Sequence, residues 1–177
     1  YNRLHLVPFA EYIPLSGQFP SLMNLNFGQG NFTQGSEYTV FEWKNVKFSN
    51  LICYESSMPN IVREFIQKGA EIITIQTNDG WLGETAGPYQ HYDVARIRAI
   101  ENRVPIIRSA NTGISGLILA NGRSTHEQKL GETAVFKVNV PIGNASSFYS
   151  RYGDIFAMIC FVIFFLLGPL PCLKKRL

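Results

Sequence analysis

The sequence predicts an α/β layered domain followed by one C-terminal transmembrane helix. Two observations carry that prediction. Apolar, β-branched runs at Val46–Ile52, Glu71–Thr77 and Val104–Ser109 alternate with helical segments at Pro59–Lys68 and Pro88–Asn102, the order that layered α/β domains show. From Ile155 to Leu173 no residue is charged. As a helix that stretch rises about 28 Å, close to the hydrocarbon thickness of a bilayer.

Taken in order, Leu4–Phe9 is apolar and reads as a first strand. Residues 16–36 are rich in Gly, Asn, Gln and Phe and show no period, so they read as a long loop, a kind that is often functional. Phe19, Leu22, Met23, Phe27 and Phe32 are too many large apolar groups for a solvated loop. Some of them are expected to dip into a membrane or to form a lid over a ligand pocket. Tyr38–Trp43 and Val46–Ile52 form a hairpin around Lys44-Asn45, and the helix from Pro59 stops at Gly69. Glu71–Thr77 has the composition of a strand buried on both faces, and Asn78–Gly83 is a loop at its end. Pro88 sits in the first turn of a helix that runs to Asn102, with Val94, Ile97 and Ile100 on one side. Val104–Ser109 and Gly116–Leu119 are strands, Asn121-Gly122 is a tight turn, and Ala134–Val140 is a last strand. No internal repeat is visible.

Composition sets limits. A chain of 177 residues is long enough for one domain with a core. The chain starts at Tyr1 and at once looks like strand, so it is expected to be a fragment whose upstream part is missing. A net charge of +3, with a basic cluster only at the C-terminus, gives no reason to expect a nucleic-acid partner. Cys53, Cys160 and Cys172 have no metal-ligand or disulfide spacing, and His5, His91 and His126 are scattered, so no metal and no cofactor is expected. Residues 1–147 form the expected domain. Residues 148–177 supply an interfacial segment (Phe148, Tyr149, Arg151, Tyr152), the span, and the basic tail Lys174-Lys175-Arg176. The positive-inside bias puts that tail in the cytoplasm and the domain on the outer side of the membrane, in the periplasm if the cell has two membranes. The competing reading of the apolar run is a buried core helix. Pro169 and Pro171 would end its regular part near Gly168.

Cys53 stands where a strand runs out and a helix begins, in Leu51-Ile52-Cys53-Tyr54-Glu55-Ser56-Ser57. Such a turn presents its side chain outward, and a helix N-terminus beside it favours negative charge on a nucleophilic sulfur. The plainer reading is a small buried apolar residue.

Four stretches together resemble the carbon–nitrogen hydrolase (nitrilase) superfamily, and within it the membrane branch of apolipoprotein N-acyltransferases. They are His5–Leu15 (with Pro8-Phe9-Ala10-Glu11), Ile52-Cys53-Tyr54-Glu55, Asn78-Asp79-Gly80-Trp81-Leu82-Gly83, and Gly87-Pro88-Tyr89-Gln90-His91 on to Asn111-Thr112-Gly113-Ile114-Ser115. The resemblance implies part of an αββα sandwich with a Glu–Lys–Cys triad. It implies transfer of a fatty acyl chain from a membrane phospholipid donor, through a Cys thioester, to the N-terminal amine of a diacylglyceryl-Cys apolipoprotein acceptor. On that resemblance Cys53 is the nucleophile, Glu11 the second acidic residue of the site, Tyr54 and Glu55 its neighbours needed for activity, and Trp81 an aromatic of the substrate pocket. Without the resemblance, Glu11 could be solvated, Glu55 could serve the following helix N-terminus, Tyr54 could pack under the turn and Trp81 could be core.

Two departures stand out. The family's first Glu, the base, falls upstream of this sequence, and the triad Lys falls at Arg3. Arg keeps the charge but is bulkier, is never neutral and holds its donors in a rigid fork. Two other readings therefore stand beside the acyltransferase: an amidase or nitrilase acting on small C–N substrates, which the terminal span disfavours, and a catalytically impaired, membrane-tethered relative, which Arg3 favours.

Overall fold

The computed structural model describes residues 2–25, 32–142 and 146–167. A mixed sheet of six strands is built in chain order: β1 (Phe41–Trp43), β2 (Val46–Ile52), β3 (Ile72–Asn78), β4 (Ile106–Asn111), β5 (Ser115–Ile118) and β6 (Ser124–Gln128). β2, β3 and β4 run parallel, and the outer strands pair antiparallel. Lys44 and Asn45, both at positive φ, close the β1–β2 hairpin with the turn that matches strand twist. Helices α1 (Pro59–Gln67) and α2 (Gly87–Asn102) make the two parallel crossovers. Successive crossovers in one direction across a sheet put both helices on the same face.

That face holds the core. Leu51, Ile73, Ile75 and Ile106 of the sheet meet Ile61, Val62 and Phe65 of α1 and Tyr92, Ala95 and Ala99 of α2. Phe65 is fully buried, worth about 1.5–3 kcal/mol by area. The opposite face carries Asn50, Thr74 and Gln76, none of them buried, so β3 is covered on one side and not on both as its composition suggests. The polar Thr74 and Gln76 already mark the second side. Nor does α2 bury the side expected of it. Ile97 and Ile100 are exposed, and the face turned inward is Tyr92, Ala95 and Ala99 with Arg98 and Asn102. Small alanines let the helix approach the sheet closely, which a row of branched residues would prevent.

Two expected strands do not form. Leu4–Phe9 buries Leu4 and Leu6 but pairs with no strand; it turns, with Phe9 at φ 63° and one isolated bridge between Pro8 and Tyr12. Carboxylates take the backbone donors that a ladder would have used: Glu55 accepts from Leu4 and His5, and Glu11 from Val7. Ala134–Val140 is irregular and largely exposed, while the more polar Ser124–Gln128 takes the place beside β5. The tight turn at Gly122 (φ 80°) makes that pairing local, and local pairing costs the least closure entropy. Within the expected long loop, Pro20–Leu25 forms a 3-10 turn. Phe19 and Phe32 are exposed. Phe27 and the side chain of Met23 lie outside the described residues.

At the C-terminal end, α3 (Phe148–Tyr152) is held to α1. Arg63 Nε and Gln67 Nε2 both donate to the Ser150 carbonyl, and Arg63 Nη2 to that of Arg151. Gly153 follows at φ 63° against the Arg63 guanidinium, and α4 (Ile155–Leu167) starts there. α4 is apolar on every side, and Phe156, Met158, Phe161 and Phe164 are exposed. Among the described residues no helix is long and apolar enough to cross a membrane. The remainder of the expected span, 168–173, and Lys174–Arg176 lie outside the described residues.

Candidate active site

β2 ends at Ile52, and Cys53 opens a 3-10 turn, Cys53–Ser57, ahead of α1. Cys53 adopts φ 53°, a left-handed conformation that costs a non-glycine residue about 1–3 kcal/mol and persists only where neighbours enforce it. The enforcing bonds are visible. Glu55 Oε2 accepts from the Ile52 N–H at 2.7 Å, the Met58 N–H donates to the Glu55 carbonyl at 3.0 Å, and the Ser56 hydroxyl donates to the Cys53 carbonyl at 2.9 Å. The Cys53 side chain itself is half-buried.

Glu55 is fully buried, and its Oε1 accepts from Leu4 N at 2.5 Å and His5 N at 3.3 Å. It thereby ties the N-terminal segment, with Arg3, to the turn that bears Cys53. Tyr54 lies beside the His5 ring, centroids 6.1 Å apart. Arg3 Nη1 forms an ion pair with Glu11 Oε1, while Glu11 Oε2 accepts from Val7 N at 2.8 Å. Arg3 Nε and Nη2 are buried donors with no hydrogen-bond partner among the described residues. Buried donors without partners are uncommon and call for an explanation.

A second cluster lies on the helix side of the turn. Asp79 Oδ2 accepts from Arg108 Nη2 at 2.6 Å, and Oδ1 accepts from the Thr77 hydroxyl at 2.9 Å and lies 2.9 Å from His91 Nδ1. His91 Nε2 is 2.9 Å from Ser56 Oγ. Arg108 also donates Nε–H to the Ile114 carbonyl at 3.0 Å. Burial works to raise the Asp79 carboxyl, but the His91 bond and the Arg108 charge outweigh it and hold Asp79 below the usual carboxylate range. Burial draws the Arg108 guanidinium down from its ordinary value, against the opposing pull of Asp79 and Cys53. The approach is so close that a Cβ on Gly113 would stand 2.3 Å from Asp79 Oδ2, so only glycine fits there.

The structure thus ties the segment that carries Arg3 and Glu11, through Glu55, to the turn that bears Cys53 and Tyr54. Trp81, exposed to 70%, stands on the 3-10 turn Asp79–Leu82 after β3. β2 and β3 are parallel neighbours, so Cys53 and Trp81 occupy the same carboxyl edge of the sheet, where α/β folds bind ligands. Ser56, Asp79, His91 and Arg108 were not among the residues singled out from the sequence. One signal was available: Arg108 is a charge that directly follows the apolar run Val104-Pro105-Ile106-Ile107 within the expected strand. Among the described residues no group of His, Cys, Asp and Glu is arranged to hold a metal.

With strand–elbow–helix geometry and its ion pair in place, the class is defined: the chain belongs to the carbon–nitrogen hydrolase family, whose pattern matches residues 1–147. The relatives it resembles are narrower than the class. It is 37% identical over 159 residues to an apolipoprotein N-acyltransferase of Geobacter metallireducens, covering 90% of this chain and 30% of that protein. The corresponding enzyme of Chlorobaculum tepidum is 36% identical over 184 residues (99% and 34%), and that of Rickettsia prowazekii 38% over 169 residues (94% and 34%). The chain spans about a third of the length of these curated relatives. Among solved structures, it resembles an amidase of Nesterenkonia sp. AN1 carrying acrylamide at its active-site cysteine (TM-score 0.51, 21% identity, 73% of this chain and 47% of that one). It also resembles a branch 10 nitrilase-superfamily protein of Saccharomyces cerevisiae (TM-score 0.51, 23% identity, 58% and 41%). These two likenesses establish the fold.

Proposed function

We propose that this chain carries the nucleophile of a lipoprotein N-acyltransferase. The observation that supports it best is Cys53, held left-handed at a strand-to-helix turn that Glu55 ties to the segment carrying the Arg3–Glu11 pair. In the proposed reaction the Cys53 sulfur attacks the ester carbonyl of a membrane phospholipid. The C–O bond breaks, the thiol proton goes to the leaving alkoxide, and a lysophospholipid departs from a thioester. The α-amine of a diacylglyceryl-Cys apolipoprotein then attacks the thioester carbonyl. The C–S bond breaks, the amine proton returns to sulfur, and an amide is formed. Splitting one transfer in two lowers each barrier.

Each tetrahedral intermediate carries an oxyanion, and Arg3 is the residue to meet it. Glu11 holds one end of the guanidinium, which leaves Nε and Nη2 available for a new acceptor. Trp81 and Tyr54 supply apolar walls for the acyl chain. Exposed Phe9, Leu15, Phe19 and Phe32 would face lipid, and the uncovered apolar α4 would continue into a membrane span. Residues 1–147 would then act at the outer surface of a bacterial inner membrane, with residues 148–177 as interfacial segment, anchor and cytoplasmic tail.

Incubation with phospholipid should leave a hydroxylamine-sensitive acyl adduct on Cys53. Cys53→Ser should abolish it, while Cys160→Ser and Cys172→Ser should not. An adduct that survives Cys53→Ser would sink this mechanism.

A further inference from the structure

The proposed transfer leaves the buried cluster behind the Cys53 turn without a role, yet its bonds lead to the nucleophile. Ser56 is fully buried, and its Oγ lies 2.9 Å from both the Cys53 carbonyl oxygen and His91 Nε2. A hydroxyl has one proton. When Ser56 donates it to the Cys53 carbonyl, Ser56 can only accept from His91, so Nε2 carries a hydrogen and donates. This holds whether Nδ1 donates to Asp79 at 2.9 Å or accepts from Arg108 Nη2 at 3.2 Å. In that arrangement Nε2–H donates to Ser56 Oγ and Ser56 Oγ–H to the carbonyl of Cys53, so Ser56 bridges the ring and the turn. Asp79 and Arg108, at 1% and 0% side-chain exposure, fix the imidazole from the turn after β3 and from within β4. Each of the three contributing elements comes from a different part of the chain, and the Ser56 hydroxyl links them to the Cys53 carbonyl.

We propose that Ser56, His91, Asp79 and Arg108 are positioning residues for the Cys53 nucleophile, holding the left-handed turn through the Cys53 carbonyl and so setting the direction of its sulfur. The proposal rests on the reading of Cys53 as nucleophile, but not on the identity of its acyl donor. Arg108 Nη1 is buried with no partner among the described residues, and the Cys53 charge bears on this guanidinium, which places the cluster within electrostatic reach of the sulfur.

The test uses the full chain in detergent with Cys160 and Cys172 replaced by Ser, and follows alkylation of Cys53 by iodoacetamide across pH beside acyl transfer from phospholipid. Ser56→Ala should slow alkylation roughly tenfold, the worth of one oriented hydrogen bond, at every pH and without moving the midpoint of the profile. Ser56→Thr, which keeps the hydroxyl, should restore most of the rate. His91→Gln, which keeps an N–H toward Ser56, should exceed His91→Leu by a similar factor. In transfer assays kcat should fall with KM unchanged. Asp93→Asn, on the outer side of α2, should change nothing. Wild-type alkylation in both Ser56→Ala and His91→Leu, whatever their melting temperatures, overturns the proposal. If Ser56→Ala does not fold, equal alkylation of His91→Gln and His91→Leu overturns it. Slow alkylation in the variants from a parent that transfers no acyl group keeps this proposal and defeats the acyltransferase reading. Equal transfer by all variants does the reverse.

Discussion

Two arginine–carboxylate pairs flank the Cys53 turn, and they differ in what they leave open. Arg108–Asp79 is sealed: its side chains are at most 1% exposed, and Asp79 is shared by Thr77, His91 and Arg108. Arg3–Glu11 is reached by water, at 14% and 21% exposure, and two Arg3 nitrogens have no described partner. A sealed pair with nearly all its bonds made gives rigidity. A pair with spare donors can accept a developing charge. Charge type is the same in both, so role follows from burial and unused hydrogen-bonding capacity.

That contrast makes predictions, the largest on the sealed side. Arg108→Met removes one member of a buried pair and strands Asp79, which should cost about 3–5 kcal/mol in urea unfolding. A loss under about 1 kcal/mol, the scale of an exposed ion pair, would show that water reaches the cluster and that the two pairs are alike.

Arg3 should show the opposite balance. Arg3→Ala should cost only about 1–2 kcal/mol of stability, since solvent reaches the Glu11 left behind. It should slow thioester formation by up to the roughly hundred- to thousandfold expected of a lost oxyanion donor. Arg3→Lys should raise the rate above that of the chain as it stands, because Arg and Lys differ in reach and donor geometry. A slower Arg3→Lys would mean that the pocket is built for Arg. Equal inactivity of all three would favour the catalytically impaired reading.

A smaller effect is expected of pH. The Asp79 carboxyl lies below its ordinary value of 3.8 in the folded chain, so the unfolded chain binds its proton first as pH falls. The stability it contributes is complete above that ordinary value and is lost as pH drops through the lower, folded one. Thermal melts between neutral and strongly acid pH should show that loss, and Asp79→Asn should have a flatter acid limb. Parallel acid limbs would mean that Asp79 is not held as described.

The smallest effect belongs to the rim. Phe19→Ser with Phe32→Ser should leave the melting temperature nearly unchanged and weaken turnover of long-chain more than short-chain phospholipid, because both rings are already exposed. Equal loss on both donors would mean that these rings do not meet the chain.

The central α/β unit was readable in the sequence. Periodicity and punctuation by Gly69, Pro59, Pro88 and Asn121-Gly122 marked β2, α1, β3, α2, β4 and β5 nearly to their ends. The elbow at Cys53 was readable because a strand signal and a helix signal meet there. The N-terminal segment was not, since the same apolar pattern serves a strand or a turn, and two carboxylates, the nearby Glu11 and the distant Glu55, decide between them. The face of α2 was misjudged because apolar side chains were counted where close approach depended on Ala95 and Ala99.

What the sequence by itself determined is therefore the family, the order of elements and the position of Cys53 at the turn after β2, because these depend on local spacing. Tertiary structure alone decided which charges became partners. Asp79, His91 and Arg108 read separately as a loop acid, a helix histidine and a strand cation. Only the parallel register of β3 and β4, with α2 laid across them, brings them to one point behind Cys53. A buried charge is tolerated only where distant elements supply its counterpart, and that geometry is a property of the folded chain rather than of any segment of it.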